Sequence, residues 1–597
     1  MRCPTFDTRL LLSSRDLRHV SQVLPIMLVD GQRNRSRSTT RRTLRSGTLA
    51  CRRHGHSRLP HRHQPHNNAV GQKGHHVFHQ ITPEGGLRHP RRVHLRSHRV
   101  GSRPRQYLAL PYITYDNGGG AFIIPYLVAL LTAGIPLLFF DYAMGHRSRG
   151  SAPLAFRMAS KVAEPIGWFQ TGVAFFIGIY YAAIIGWAGC YMFFSLNQAW
   201  GDDATGFFTE TFLHASDPGI SFEFVPGILI PIILVWIATL GILLAGVQNG
   251  IARFSKIFIP LLVVLFLALV VRALFLPGAF DGINALFTPD FAALADPAVW
   301  IAAYGQIFFS LSIAFGIMIT YASYLKRKTN LTGAGLVVGF SNSAFEILAG
   351  IGVFAALGFM AAAQGTQVSE VAESGIGLAF MAFPTLISEM PGGALFGFAF
   401  FACLVFAGLT SIISIVQVPI QAVREKFGLG DRASTLLVGG IMAVISILLM
   451  PTVTGLYVLD TIDAWANNIG IVGGAVVALI TIGWIARRLP VLRDHLNAIS
   501  SFKVGWLWMI ILGGLTTIVL IYMLITQIMT YSTEGYEEYP AVLTGTFGWG
   551  MIGLLIIASI VLTLIKWPQK TLDAAEAAVA DSVAEKNRTN TTHGGAH

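Results

Sequence analysis

From about residue 119 onward, mostly apolar stretches of roughly 20 or more residues recur almost to the end of the chain. Each is long enough to cross the ~30 Å hydrocarbon layer of a bilayer as a helix. Eleven are read, at about 119–146, 163–197, 224–246, 254–276, 298–325, 333–362, 391–424, 433–450, 457–486, 506–531 and 544–566. Lipid offers no hydrogen-bond partners, so a chain of this pattern folds as a bundle of helices. A mean hydropathy of +0.58 and a charged fraction of 12% fit a membrane protein and exclude an ordinary soluble domain. The expected fold class is an all-α membrane protein.

One span is interrupted. Between about Trp300 and Tyr324 runs Gln306-Ile-Phe-Phe-Ser-Leu-Ser-Ile-Ala-Phe-Gly316, polar and glycine-marked at its middle. Polar groups and loosened backbone at membrane depth are costly unless they line a cavity or bind something. A span broken at its midpoint marks the binding site of many secondary transporters. The plainer alternative is a kinked span whose serines bond back to the preceding turn.

Lys and Arg cluster on alternate loops, as in 146–161, 326–328, 424–432 and 487–503, whereas 198–223 has none and 532–540 carries three glutamates. The positive-inside rule puts the basic loops and both termini in the cytoplasm. Three regions follow: a leader at 1–110, a transmembrane body at 111–567 and a polar tail at 568–597, expected as a short helix followed by disorder. The net charge of +12 belongs to the leader, where residues 1–106 hold 22 Lys and Arg against 4 Asp and Glu. The body is therefore net acidic, and no nucleic-acid partner is expected for it. Cys190 and Cys403 lie inside apolar spans, so no disulfide framework is implied. No nucleotide-binding loop or metal-ligand cluster stands out in the spans, and a transporter is expected rather than an enzyme.

The leader is rich in Arg, His, Ser and Pro and contains no span. One reading is a disordered basic arm for anionic lipid or nucleic acid. The other is out-of-frame translation. Residues 105–110 can be encoded as CGG CAA TAT CTG GCG CTT, which displaced by one nucleotide reads GNIWRF. Joined to Pro111-Tyr112 this gives GNIWRFPY, and the same shift carried back to about His89 permits a glycine-centred span. The codons in the DNA decide between the two.

Several stretches together carry a family resemblance. They are Asn117-Gly-Gly-Gly-Ala-Phe-Ile-Ile-Pro-Tyr126, Gly134-Ile-Pro-Leu-Leu138, Tyr180-Tyr181, the run Gln306–Gly316 with Thr320-Tyr-Ala-Ser-Tyr324, Asn342 with Glu346, Ala407-Gly-Leu-Thr-Ser411, and Asp460-Thr-Ile-Asp463-Ala-Trp465. In this order the body resembles the neurotransmitter:sodium symporters, especially the bacterial amino-acid members. The resemblance implies an inverted-repeat fold of twelve spans, the first and sixth unwound halfway. The eleven spans read here are then the second to twelfth, and the first is lost or scrambled in this chain. It also implies sodium-coupled uptake of a small molecule, expected to be a neutral and apolar amino acid, across a bacterial inner membrane. The partners are then substrate, two sodium ions and lipid.

The same resemblance assigns residues. Ala407, Thr410 and Ser411 would serve one sodium site, the plainer alternative being hydroxyls bonded to their own helix. Ser310 and Asn342 would serve the other, although Asn342 also fits a role as interhelical glue. Tyr181 would meet the substrate carboxylate, with Ile177, Ser310, Ser312, Ser411 and Ile415 lining the pocket. Phe309 and Phe315 would shape and close it. Glu346 would replace chloride, either carrying a proton outward or serving as a merely structural, permanently protonated group. Asp463, with Phe309, would form the outer gate. Its arginine partner is the R of GNIWRFPY, where this chain has Ala109, leaving the gate unpartnered and both sodium sites without first-span ligands. The rivals to a symporter are a transporter-like binding or sensor protein that moves nothing, a defective product, and a proton-coupled carrier of the same broad fold. The hydroxyl pair Thr410-Ser411 argues against the last.

Overall fold

The computed structural model describes residues 109–246, 251–368 and 375–593. The leader before residue 109, with the question of its frame, lies outside the described residues. Among those residues β-pairing is confined to two isolated bridges, Gly119 with Pro289 and Phe224 with Thr452. Everything that positions the site is helical.

A short helix, α1 (Ala109–Asp116), leads into the bundle. Ten uninterrupted helices have the length and apolarity to cross a bilayer. These are α2 (Gly120–Ser148), α3 (Lys161–Phe194), α4 (Pro226–Leu244), α5 (Arg253–Leu274), α8 (Leu331–Gln364), α9 (Gly393–Phe427), α10 (Asp431–Leu449), α11 (Gly455–Ile485), α13 (Trp506–Thr533) and α14 (Ala541–Leu564). The eleventh expected span is two half-length helices, α6 (Pro297–Ser310) and α7 (Ile317–Tyr324). An amphipathic connector, α12 (Leu489–Ile499), and a tail helix, α15 (Gln569–His593), complete the set. The eleven spans expected from hydropathy are thus all present.

Burial sorts the spans into inner and outer. The most apolar stretch of α2 is 67% buried, as in α3 and α8, whereas that of α5 is 11% buried. Ile257, Val264 and Val271 of α5 stay exposed, as lipid-facing residues must. α2 and α7 approach backbone to backbone. A Cβ at Gly145 would lie 2.0 Å from the carbonyl oxygen of Ile319, so only glycine fits there.

Between α6 and α7 the chain leaves the helix. Ser312, Ala314 and Gly316 have φ of 52°, 66° and 84°. Gly316 adopts this region at no cost, but Ser312 and Ala314 do not, so tertiary contacts must hold them there. The interruption is therefore a true break, not the kinked span of the plainer reading.

Two expectations need correction. The tail is not a short helix followed by disorder, because α15 runs for 25 residues to His593. Its Ala- and Glu-rich start has high helix propensity, and Trp567 and Ala575 join a buried cluster with Leu154, Trp168 and Ala422. A short apolar helix at Leu378–Glu389, too short to span, was not anticipated.

Candidate functional site

Four side chains from three helices converge on one carboxylate. Glu346 of α8 is fully buried. The Tyr126 hydroxyl of α2 donates to its Oε2 at 2.9 Å, and the Gln306 amide of α6 at 3.4 Å. The Asn342 amide donates to Oε1 at 3.1 Å, and the Ser310 hydroxyl donates to the same oxygen. Asn342 also donates to Ser310. Glu346 is thus buried with hydrogen-bond donors on both of its oxygens. Gln306 and Ser310 end α6 just before the break, and Asn342 and Glu346 lie one turn apart on α8. A narrow recess, lined in part by Thr114, Phe122, Tyr126 and Phe287, opens on this cluster.

The break itself is tied to α2. The Ala314 amide N–H donates to Asp141 Oδ2 at 3.1 Å, and Asp141 is 2% exposed. This carboxylate satisfies a donor that the missing helical turn leaves orphaned. Asp141 was not singled out in the sequence. A lone acid in an apolar span is the signal that marks it.

Along α9, the Thr410 hydroxyl donates to the Ala407 carbonyl at 2.8 Å. Ser411 is half-buried beside it. Ile177 and Ile415 are buried where α3 meets α9, and the Cβ position of Gly178 lies 3.5 Å from Ile415 Cγ2. Tyr181 and Ser312 are half-buried and Phe315 is buried. The side chain of Phe309 falls outside what the structure describes.

At one end of the site, Asp463 is buried and accepts from Tyr180 at 2.6 Å and from Asn467. A neighbouring span and its own next turn thus supply donors to this acid. One turn earlier, Asp460 accepts from Tyr536 at 3.1 Å and Tyr539 at 3.0 Å. At the other end α7 and α9 are joined by side-chain hydrogen bonds. Tyr321 donates to Ser414 at 2.7 Å, Gln417 to Tyr324 at 3.1 Å and Gln421 to Ser323 at 3.1 Å. Glu425 continues the stripe, accepting from Gln421 and from the Ser151 backbone, each at 2.8 Å. Ser414, Gln417, Gln421 and Glu425 recur at helical spacing on one face of an apolar span, a pattern legible in the sequence but not read there.

Among the described residues no group of three or more His, Cys, Asp or Glu is placed to hold a metal. The hydroxyl, amide and carbonyl oxygens gathered here suit a hard monovalent cation as cargo better than a resident transition metal.

The model of the sodium:neurotransmitter symporter family matches residues 108–204 and 201–570. An uncharacterized sodium-dependent transporter of Methanocaldococcus jannaschii is 39% identical over 461 residues, covering 76% of this chain and 92% of that protein. The human sodium- and chloride-dependent GABA transporter 2 is 28% identical over 505 residues, covering 76% of this chain and 81% of its own. The mouse protein of that name is 31% identical over 417 residues, covering 63% of this chain and 68% of its own. With its broken span, its many membrane-crossing helices and a family match across most of its length, this chain belongs to the sodium:neurotransmitter symporter family.

Proposed function

We propose that the chain is a sodium-coupled symporter of a neutral, apolar amino acid that works by alternating access and needs no chloride. The observation that carries this reading is the α6–α7 break beside a cluster of oxygen-bearing side chains. Unwound backbone and half-helix ends offer partial charges to a small zwitterion and to cations. Ala407, Thr410 and Ser411 supply oxygens to one sodium ion, and Ser310 and Asn342 to a second. Tyr181 orients the substrate carboxylate. Ile177, Ile415 and Phe315, with Phe309, surround its side chain, while Ser310, Ser312 and Ser411 offer it polar contacts. Asp463 and Phe309 belong to the outer gate. The Ser414–Glu425 stripe and its partners on α7 form the inner one, since hydrogen-bonded surfaces part and rejoin at less cost than interlocked packing.

Chloride independence follows from the same cluster. Hydroxyl and amide donors converging on one point make an anion cradle, and the Glu346 carboxylate fills it from within the chain. The leader, 1–110, is read as out of frame and the body, 111–567, as the working transporter. That the family match begins at residue 108 supports this division. Basic loops and both termini face the cytoplasm of a bacterium.

One observation favours a second reading. Ala109 stands where the gate arginine is expected, as it would in a transporter-derived protein that binds without transporting. Uptake of labelled leucine, phenylalanine and tryptophan into proteoliposomes separates the two. Sodium must stimulate uptake of at least one, and Thr410→Val must weaken the apparent sodium affinity at least tenfold. Uptake of none supports the second, and uptake equal in sodium and potassium overturns sodium coupling.

A further inference from the structure

The C-terminal end of α2 holds a contact that the transport reading leaves unused. His146 and His495 are buried, at 3% and 6% exposure. His146 Nδ1 lies 3.0 Å from His495 Nε2, joining α2 to α12. His146 Nε2 lies 2.9 Å from the carbonyl oxygen of Lys326, the second residue beyond α7. A carbonyl only accepts, so Nε2 carries the proton in that contact, and Nδ1 accepts from His495 while both rings are neutral. Arg149 donates to the carbonyls of Leu325 and, at 3.5 Å, Ser323. Its guanidinium also lies 3.2 Å from His146 Nε2, an alternative partner for the other tautomer. The carbonyls that end α7 are thus gripped by α2 and, through the imidazole pair, by α12.

The charges around the pair are mostly positive. Arg147 and Arg149 come from the end of α2, Lys326 and Arg327 from the linker, and Arg488 and Arg493 from α12 and its cap. Of these, Arg327 pairs with Asp581 of α15 and Arg493 with its neighbour Asp494. One added proton fits this geometry, with His146 donating to both Lys326 and His495. A second puts N–H against N–H across 3.0 Å, amid this positive surround.

We propose that the His146–His495 pair is a proton-sensitive latch, which holds the linker after α7 against α2 and α12 and lets it go on acidification. The proposal rests on the transport reading only for its role, since α7 is taken to move in the cycle. Burial, then His146, Arg147 and Arg149, push the latched His495 down to about 3. Freed into water an imidazole returns to about 6.5. The released form therefore binds protons more tightly than the latched form. The latch is fully favoured above about pH 6.5 and weakens as pH falls from there towards the latched value. The freed His495 imidazole alone raises the released-to-latched ratio about tenfold between pH 7.5 and 5.5.

The test is a distance measurement by pulsed electron spin resonance on the full chain in detergent, where both faces see one pH and no transport is needed. Spin labels go on Lys328→Cys and Arg487→Cys, both at exposed positions, after Cys3, Cys51, Cys190 and Cys403 are replaced by Ala. A longer-distance population must grow about tenfold or more from pH 7.5 to 5.5. In H146Q/H495Q, whose amides hydrogen-bond but do not titrate, that growth must vanish. Identical distances at both pH values, or the same shift in H146Q/H495Q, overturn the proposal. If the double variant does not fold, H495Q alone decides, and its keeping the full shift is equally contrary. Failed uptake with an intact pH response would instead count against the transport reading alone.

Discussion

Glu346 shows what one residue can settle. Its two oxygens take hydrogen bonds from Tyr126, Gln306, Ser310 and Asn342. Removing the carboxylate leaves buried donors facing one another, each worth about 1–3 kcal/mol if unsatisfied. Glu346→Ser should therefore make uptake depend on chloride, which refills the cradle. Exchange of chloride for gluconate is the check: the unaltered chain should not respond, and the variant should lose at least ten-fold in rate. A variant indifferent to chloride would show that the cradle needs no anion. Glu346 stands out in the sequence as an acid at membrane depth, whereas Ser310 and Asn342 were picked out through the family resemblance. Asp141 was not, because its partner is a backbone N–H that exists only after α6 and α7 separate. Nor was the partner of Asp463, since Tyr180 arrives from a span 283 residues away in sequence.

At the scale of elements, the break in α6–α7 was readable from Gln306, the two serines and Gly316. Its left-handed turns at Ser312 and Ala314 were not, since nothing about L-residues announces them. The tie between α3, α9 and the tail was equally hidden. Glu164 and Lys426 are both fully buried. The Lys426 ammonium lies 2.7 Å from Glu164, and Arg157 reaches the other oxygen at 2.6 Å. Trp168 and Trp567 donate to Glu164 at 3.2 and 2.7 Å, and the ammonium sits 4.5 Å from the Trp567 ring centre. Removing Lys426 takes one of two cations from Glu164 while Arg157 and the indoles stay, so the loss falls below the roughly 3–5 kcal/mol of a fully stranded charge. Lys426→Met should lower the thermal midpoint in detergent clearly, and K426M/E164Q should recover part of the loss. A K426M protein as stable as the parent would mean that water, not Lys426, satisfies Glu164.

For the whole molecule, hydropathy alone located all eleven spans, because lipid forbids most other arrangements. It could not foresee which spans lie inside. α5 is more apolar than α2, yet α5 faces outward and α2 sits in the core. Outer spans must match lipid, whereas inner spans carry the polar groups that bind and move. The tail was legible as helix at its Ala-rich start but not in its extent, which depends on docking around Trp567. If the out-of-frame reading of the leader is right, replacing residues 1–110 with the shifted sequence ending in GNIWRF should raise sodium-driven uptake at least tenfold. It would restore an arginine near Asp463 and the first-span carbonyls. Loss of uptake on that replacement would mark the basic arm as a working part of the protein.

The most direct measurement is uptake of labelled leucine, phenylalanine and tryptophan into proteoliposomes under an inward sodium gradient, with and without an ionophore that collapses it. Each sodium ion moved inward gains about 2.3 kcal/mol per 100 mV of potential, besides its concentration gradient. The account predicts transient accumulation of at least one of these amino acids above its outside concentration, abolished by the ionophore and unchanged when gluconate replaces chloride. Accumulation that survives collapse of the sodium gradient would contradict it.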